Sequence, residues 1–474
     1  MVFSSVVFMF YFLPIVILLY YTLGRLHISI RNMLLLVASV FFYAWGEPKN
    51  VFLLIVSCIF NWGIALFLNR WKKLAKACLV IACIVNLGVL FVFKYWDFTM
   101  SNVNAAIGEN VVPLNHLALP IGISFFTFQA LSYVVDVYRG TVTVQKNPFY
   151  VMLYVSMFPQ LVAGPIVRYN TVEDQILHRE HTWSGFSAGC VRFVQGLAKK
   201  LILANTFATV ADNVFELSLA GHNEMKIPVL LAWLGSIAYS LQIFYDFSAY
   251  SDMAIGLGKM FGFDFEENFM YPYISKSIGE FWRRWHISLG TWFKDYVYIP
   301  LGGSRVQTKD KMLGNLFVVW LLTGLWHGAN WTFLMWGLVN FAFIALERLT
   351  GFEKRELSST WKHVYALLVV NMSWVLFRCE SLYHLGEYVG NMFGIHDNGF
   401  YSPYVWVFLK EYALIWIVGI ILCMPVGDKL KQKLSGKCTG IQNVAYCTGM
   451  ILIFALSILY LVKSGYNPFI YFNF

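Results

Sequence analysis

The sequence predicts an all-α polytopic integral membrane protein. Of its 474 residues, 58% are hydrophobic and only 13% are charged, whereas a soluble domain carries about 25% charged residues. One segment, Leu316–Leu346, runs for 31 residues without Asp, Glu, Lys or Arg, and roughly 20 helical residues suffice to cross a bilayer. We therefore expect a single integral membrane domain over residues 1–474, with about ten to twelve spans.

The net charge of +9 is explained by topology. Basic residues lie in short loops between apolar runs, where the positive-inside rule places them in the cytoplasm, and we therefore exclude nucleic acid as a partner. This rule assigns the loops Arg25–Arg31, Arg70–Lys76 and Asp428–Lys437 to the cytoplasm. The last span, Val444–Val462, then leaves an aromatic tail, residues 463–474, on the extracytoplasmic side.

The first four apolar runs are regular, and the later ones are not. The regular runs are Val6–Leu23, Met33–Trp45, Val51–Leu68 and Ala77–Tyr95, followed by a predicted polar loop, Asp97–His116. Pro120 and Gly122 then interrupt Leu117–Val137, and Pro159 interrupts Phe149–Ala163. Such residues are tolerated where backbone is buried in protein or lines a cavity, so they predict broken or re-entrant helices. Further helices are expected at Phe193–Phe215, Val229–Tyr245, Val364–Phe377 and Tyr412–Pro425.

Two carboxylates, Asp246 and Asp252, follow the apolar run Val229–Tyr245. A carboxylate at membrane depth is costly and is a candidate site residue. The alternative, which we favour, is an ion pair or a helix cap that holds the bundle together.

The region Ile278–Tyr296 is predicted to form one amphipathic helix. Its apolar residues fall in a stripe roughly 120° wide at ~100° per residue, while Arg283 projects on the far side. His286 lies at the margin of the stripe, beside Trp285. A site at His286 and a purely packed aromatic face are about equally supported.

His327 lies in the middle of Leu316–Leu346. An ionisable residue at membrane depth is by default a functional candidate, and the alternative is a packed histidine satisfied by one neighbour. On a continuous helix it would share a face with Thr323 and Asn330, which could orient the imidazole. Because the segment exceeds one crossing, we expect the helix to be tilted or broken.

These residues favour acid–base chemistry in the membrane. A buried neutral imidazole can act as a general base that activates a hydroxyl against an ester or thioester, and a second polar residue would stabilise the oxyanion. The eight cysteines form no C-x-x-C motif, so they indicate packed thiols, with neither a metal site nor a disulfide framework expected.

Three motifs resemble the membrane-bound O-acyltransferase (MBOAT) family. They are EFWRRWHISLGTWF at Glu280–Phe293, YIPLGG at Tyr298–Gly303 and LTGLWHGA at Leu322–Ala329. They are most similar to the bacterial branch of alginate and peptidoglycan O-acetyltransferase membrane subunits, related to the D-alanyl transfer protein of teichoic acid synthesis. FPQLVAGP at Phe158–Pro165 and YDFSAYSDMA at Tyr245–Ala254 extend the resemblance to nearly the whole chain.

The resemblance implies a helical bundle thinned into a central funnel, in a bacterial cell membrane. The family's two histidines match His286 and His327, and the expected supporting residues are Trp282, Arg283, Arg284, Trp285, Trp326, Thr323, Asn330, Asp246 and Asp252. No cofactor is expected to be bound. The implied donor is cytoplasmic acetyl-CoA or a carrier-bound thioester, and the implied partner is an extracytoplasmic protein of the SGNH-hydrolase type.

The tail motif FIYFNF, residues 469–474, resembles the segment by which this branch is thought to carry the acyl group on a tyrosine. The hypothesis is that Tyr471 is a transient acceptor, deprotonated with help from His327. The alternative is that the aromatic residues anchor the C-terminus at the membrane interface.

Other functional classes stay open at this point. A transporter or flippase of a glycan intermediate could use His327 as a proton relay, but it predicts an internal repeat that the sequence does not show. A scaffold for a secretion complex leaves the cost of burying His327 unexplained. Within the acyltransferase hypothesis, the polysaccharide and the choice of acetyl over D-alanyl are open.

Overall fold

The protein is described by a computed structural model that covers residues 1–162, 164–219, 226–429, 440–463, 465–468 and 470. All regular elements of these residues are helices, which confirms the all-α fold class. Contacts divide the chain into two compact units. The first unit is Met1–Phe193 with Tyr250–Glu266, and the second unit is Val194–Ala249 with Glu267–Phe474.

Seven described helices are long and apolar enough to cross a membrane. They are Phe8–Arg25, Ile28–Gly46, Val51–Arg70, Lys72–Ile107, Val229–Met260, Trp331–Thr350 and Gln442–Lys463. A pair bent by 71°, Pro403–Glu411 and Ala413–Leu422, raises the number to eight if it forms one span. The expected ten to twelve spans are therefore not confirmed, and the central funnel stays a prediction.

The first unit is built from helices that cover most of the predicted apolar runs. After the N-terminal span they are Ile28–Gly46, Val51–Arg70, Ala75–Leu90, Trp96–Ile107, Ile123–Arg139, Pro148–Ser156, Phe158–Leu161, Tyr169–Leu177 and the start of Trp183–Ala198. The predicted loop Asp97–His116 is wrong in its first half, because the helix continues to Ile107. It ends there at Gly108, whose φ of 84° favours glycine.

The predicted break near Pro120 is confirmed. Gly122 has a φ of 75° and precedes the helix Ile123–Arg139. A Cβ at Gly122 would lie 2.7 Å from the carbonyl oxygen of Leu161, so only glycine fits this close approach. Phe149–Ala163 is likewise interrupted, into Pro148–Ser156 and Phe158–Leu161.

The second unit carries the other helices. They are Lys199–Ala204 (a π-helical turn), Asn205–Leu219, Val229–Met260 as far as Ala249, Ile278–Arg284, Ile287–Phe293, Lys294–Tyr298, Lys309–His327, Trp331–Thr350, Ser359–Arg378, Leu382–Met392, Pro403–Glu411, Ala413–Leu422 and Gly440–Lys463. The loop predicted at Asp428–Lys437 lies largely outside the described residues.

The long apolar run around His327 forms a helical hairpin, which confirms the predicted break in the helix. The helix Lys309–His327 ends at Gly328, and Trp331–Thr350 starts three residues later. A Cβ at Gly324 would lie 2.5 Å from the carbonyl oxygen of Phe333 and 3.4 Å from the Cα of Gly337. The two helices therefore approach to backbone contact through their small residues.

A chain of hydrogen bonds in the first unit depends on a neutral His181, which lies in the loop before the helix Trp183–Ala198. Arg31 Nη1 lies 2.8 Å from His181 Nδ1, and His181 Nε2 lies 2.7 Å from the Tyr20 hydroxyl. The hydroxyl donates to the carbonyl oxygen of Phe261, so it accepts from Nε2–H, and Nδ1 accepts from Arg31. Burial, with Arg31 and Arg179, lowers the pKa of His181 from 6.5 to about 4.

We expect this network to make stability fall with acidification. Between pH 6.5 and about 4 the unfolded chain binds a proton on His181 that the folded chain does not, so the free energy of unfolding decreases as pH falls through that window. In His181→Gln, whose amide keeps one acceptor and one donor, the loss of thermal stability from pH 7 to pH 5 in detergent should be smaller. The exposed His178→Gln should behave as the wild type. An equal loss in both variants would contradict the network.

Candidate active site

His286 joins two short helices in a left-handed conformation. Ile278–Arg284 ends before it, Ile287–Phe293 begins after it, and its φ and ψ are 47° and 53°. The single amphipathic helix predicted over Ile278–Tyr296 is therefore wrong at this residue. A non-glycine residue held in this region carries strain of about 1–3 kcal/mol, and such residues cluster at functional sites.

Asn268 is the reason the chain can reverse there. Its carbonyl oxygen accepts from the amide of Ile287 at 3.0 Å. Its side-chain Oδ1 accepts from the amide of Ser288 at 3.1 Å and from the Ser288 hydroxyl at 2.9 Å. The first amides of a helix lack intrahelical partners, so one asparagine caps the helix that follows His286. Sequence reasoning missed Asn268, because no local pattern links it to a residue 18 positions later.

The same asparagine determines the tautomer of His286. Asn268 Oδ1 must be an acceptor because it receives the Ser288 amide, and it lies 3.3 Å from His286 Nδ1. Nδ1 therefore donates, and the lone pair of the neutral ring lies on Nε2. His286 lies outside the candidate spans but is 4% exposed, and burial lowers its pKa to about 3. The ring is thus neutral at physiological pH.

His327 is the last residue of its helix and is 7% exposed. Three rings meet the imidazole edge to face at interplanar angles of 80–81°. Their centroids lie 5.0 Å (Trp326), 4.9 Å (Trp336) and 5.2 Å (Phe377) from that of His327. Perpendicular aromatic neighbours of this kind favour one orientation of the ring. Trp336 and Phe377 were not predicted, because they come from the other arm of the hairpin and from the helix Ser359–Arg378.

Trp326 brings the two histidines together. Its ring centroid lies 6.1 Å from that of His286 and 5.0 Å from that of His327. All three residues belong to the second unit. Two imidazoles in contact with one buried indole form a compact arrangement in which both rings are largely shielded from water.

Further tryptophans form the frame of this arrangement. Trp282 lies 5.1 Å from Trp320 and 5.2 Å from Trp336, centroid to centroid, and its Nε1 donates to Asn340 Oδ1 at 2.9 Å. Trp285 lies 4.7 Å from Trp374. The contacts of Trp282 join the segment that carries His286 to the hairpin that carries His327, and the contact of Trp285 joins it to the helix Ser359–Arg378.

The two arginines of the motif make contacts of their own. Arg283 is paired with Glu353 at 2.8 Å, and both side chains are more than half exposed. Arg284 is paired with Glu280 at 2.9 Å and donates to the carbonyl oxygen of Met270 at 3.1 Å. These bonds stabilise the segment around His286, and exposed pairs contribute about 0–1 kcal/mol each.

The two polar neighbours expected beside His327 bond elsewhere. The Thr323 hydroxyl donates to the carbonyl oxygen of Val319 within its own helix at 2.7 Å. Asn330 is not on that helix: it caps Trp331–Thr350, and its amide donates to the carbonyl oxygen of Glu380 at 2.7 Å. The helical face predicted for Asn330 is therefore wrong, because the helix ends at His327.

The two carboxylates predicted from the sequence, Asp246 and Asp252, are buried and ion-paired, which agrees with the favoured structural role. In the second unit Asp246 lies 2.6 Å from Lys200 Nζ. In the first unit Asp252 lies 2.6 Å from Arg192 Nη2. Tyr471 lies outside the described residues.

Residues 141–386, about half of the chain, match the model of the MBOAT, membrane-bound O-acyltransferase family. The chain belongs to this family. The match includes both histidines and the tryptophan frame around them. The protein is accordingly a multi-pass membrane acyltransferase.

Some relatives match this chain over its full length, and others match over part of it. The chain is 40% identical to the probable alginate O-acetylase of Pseudomonas putida, over all of both chains. It is 31% identical to the peptidoglycan O-acetyltransferase of Helicobacter pylori, over all of this chain and 98% of that one. The teichoic acid D-alanyltransferase of Bacillus subtilis is 28% identical, over 53% of this chain and 63% of that one.

We expect Asn268→Ala to lower acyl transfer by about 10²-fold, the loss that follows a misplacement of ~1 Å in a catalytic group. The variant removes the acceptor of His286 Nδ1 and the cap of the following helix. Asn371→Ala is the matched control, since Asn371 is also buried and bonded, to Ser236 and Ser240. Initial rates with labelled donor measure the effect. Equal losses in the two variants would show that Asn268 has no special role.

Proposed function

We propose that this protein transfers acetyl groups from cytoplasmic acetyl-CoA, across a bacterial cell membrane, toward a polysaccharide outside. The observation that carries the proposal is the pair of buried imidazoles on Trp326. A neutral imidazole is a general base suited to activating a hydroxyl. Relatives named alginate and peptidoglycan O-acetyltransferases match over the full length, which supports a cell-wall or exopolysaccharide acceptor.

In the first step, Tyr471 is the acceptor. His327 removes the proton of the phenol, and the phenolate oxygen attacks the carbonyl carbon of the thioester. The new C–O bond forms, the C–S bond breaks, and the imidazolium returns its proton to the departing thiolate. A contact of the neighbouring residue supports this role: the amide of Ile470 donates to the buried carboxylate of Asp246 at 2.9 Å, within the unit that holds both histidines.

In the second step, the tyrosyl ester is the donor. A hydroxyl of an extracytoplasmic partner of the SGNH-hydrolase type attacks the ester carbonyl, the bond to the phenol oxygen breaks, and the phenolate takes up the proton. A phenol is a better leaving group than an aliphatic alcohol, so transfer onward is favourable. His286, with its lone pair on Nε2, is suited to take this proton from the incoming hydroxyl and to pass it to the phenolate.

Acetyl is proposed over D-alanyl because of the extent of the matches. The O-acetyltransferase relatives cover both chains nearly completely, whereas the D-alanyltransferase of Bacillus subtilis covers about half of this chain.

We expect His327→Ala to lower acetylation of the protein by about 10²–10⁴-fold, the range of general-base catalysis. The measurement is incubation of purified protein with radiolabelled acetyl-CoA, followed by mass spectrometry of the C-terminal peptide. His116→Ala, in a loop of the first unit, is the control and should label normally. Labelling that survives in His327→Ala would contradict the catalytic role.

We expect Tyr471→Phe to remove the label from the tail and to stop transfer to the partner. Phenylalanine keeps the ring and lacks only the hydroxyl, so a purely anchoring role of the aromatic tail would leave transfer intact. Wild-type transfer by Tyr471→Phe would rule out the tyrosyl ester, and hydrolysis of acetyl-CoA measured in parallel shows whether the rest of the site still works.

A further inference from the structure

We propose that the buried Lys200–Asp246 pair is a clamp that holds the main chain of the C-terminal tail beside the active site. Lys200 and Asp246 are then positioning residues for the acyl acceptor, and this role rests on the proposed function of the tail. Nothing in the sequence patterns singled out Lys200.

The clamp consists of one ion pair and two main-chain contacts. Lys200 Nζ lies 2.6 Å from Asp246 Oδ1, and the side chains are 4% and 1% exposed. Asp246 Oδ2 accepts from the amide of Ile470 at 2.9 Å. Lys200 Nζ donates to the carbonyl oxygen of Pro468. Each member of the pair therefore holds its partner and one main-chain group of the tail.

Stability alone does not account for this pair. Burying two charges carries a large desolvation cost, and replacing such a pair by well-packed apolar residues is often neutral or stabilising. A charged carboxylate and ammonium do, however, make stronger hydrogen bonds than neutral groups. An ion pair in this place binds an amide and a carbonyl at the same time, which an apolar pair cannot do.

Contacts further up the tail support the same role. Asn205, which is 6% exposed, donates to the carbonyl oxygen of Tyr466 at 3.5 Å and to Asn467 Oδ1 at 3.3 Å. The Tyr466 hydroxyl donates to Asp212, whose other oxygen is paired with Arg378 at 2.8 Å. The tail is therefore bonded to the second unit at several points before Tyr471.

Asp246, one member of the clamp, is adjacent in sequence to a residue that contacts His286. Asp246 is followed on its helix by Phe247, whose ring centroid lies 6.0 Å from that of His286. Tyr471 follows Ile470 directly, and consecutive Cα atoms are about 3.8 Å apart. Holding the amide of Ile470 on Asp246 thus limits where the acceptor hydroxyl can be.

Lys200 reaches Asp246 from a π-helical turn. Lys199–Ala204 is π-helical between the α-helices Trp183–Ala198 and Asn205–Leu219. Turns of this type are rare and frequently occur at functional sites. Lys200 lies in this turn with its side chain only 4% exposed.

The test uses the full-length protein in which Lys200 and Asp246 are both replaced by uncharged residues. Lys200→Met/Asp246→Leu removes the clamp together with both charges of the pair. The tail should then be released, so carboxypeptidase digestion followed by intact mass should shorten it at least 10-fold faster than in the wild type. Labelling of Tyr471 should fall by a similar factor at saturating acetyl-CoA, with the KM for acetyl-CoA unchanged.

Two controls separate the clamp from general damage. Arg192→Met/Asp252→Leu removes the ion pair of a second buried carboxylate of the same helix, in the first unit, and should leave tail digestion at the wild-type rate. Lys200→Leu/Asp246→Val also lacks a side-chain acceptor for the Ile470 amide and serves if the first double variant does not fold; it should release the tail as well.

The digestion rate tests whether the ion pair holds the tail, and the labelling tests the proposed function, so the two measurements can give opposite results. Wild-type digestion rates in both Lys200/Asp246 double variants would overturn the clamp, whatever the activity. Equal release in the Arg192/Asp252 variant would overturn it as well, because release would then reflect loosened helices. If Tyr471 of the wild type is not labelled, the proposed function is contradicted, and so is the positioning role. The digestion rates would still show whether the pair holds the tail.

Discussion

The contacts of Trp326 with both imidazoles are the interaction on which the site depends. An indole can hold two neighbouring rings at defined angles only if it is itself fixed. Trp326 is 2% exposed, and it adjoins the residue at which the helix Lys309–His327 ends. The residue at which this helix ends therefore determines where the site lies.

The hairpin supplies the rigidity for that helix end. Gly324 and Gly337 allow its two arms to approach to backbone contact, and a larger residue at either position would separate them. Close approach brings Trp336 from the second arm against His327. The packing of small residues thus determines which large residues reach the imidazole.

Buried polar groups divide between two tasks. Some fix backbone, as Asn268 does for the reversal at His286. Others hold charges in pairs, as Lys200 and Asp246 do. An uncompensated buried charge would cost free energy. Each buried charge therefore has to lie close to its partner, and this requirement fixes the position of the groups that the pair contacts.

The sequence by itself determined the class of protein, the two histidines and the family, because composition, apolar runs and long motifs are local properties of the chain. It also indicated the break in the run around His327, because 31 residues exceed one crossing. Only the tertiary structure decided which residues surround the histidines. Asn268, Trp336 and Phe377 come from other segments, and their contacts depend on how helices pack, which periodicity along one helix does not encode. The reversal at His286 shows the same limit: its helical spacing suggested one continuous helix, and a cap from a distant asparagine breaks it in two.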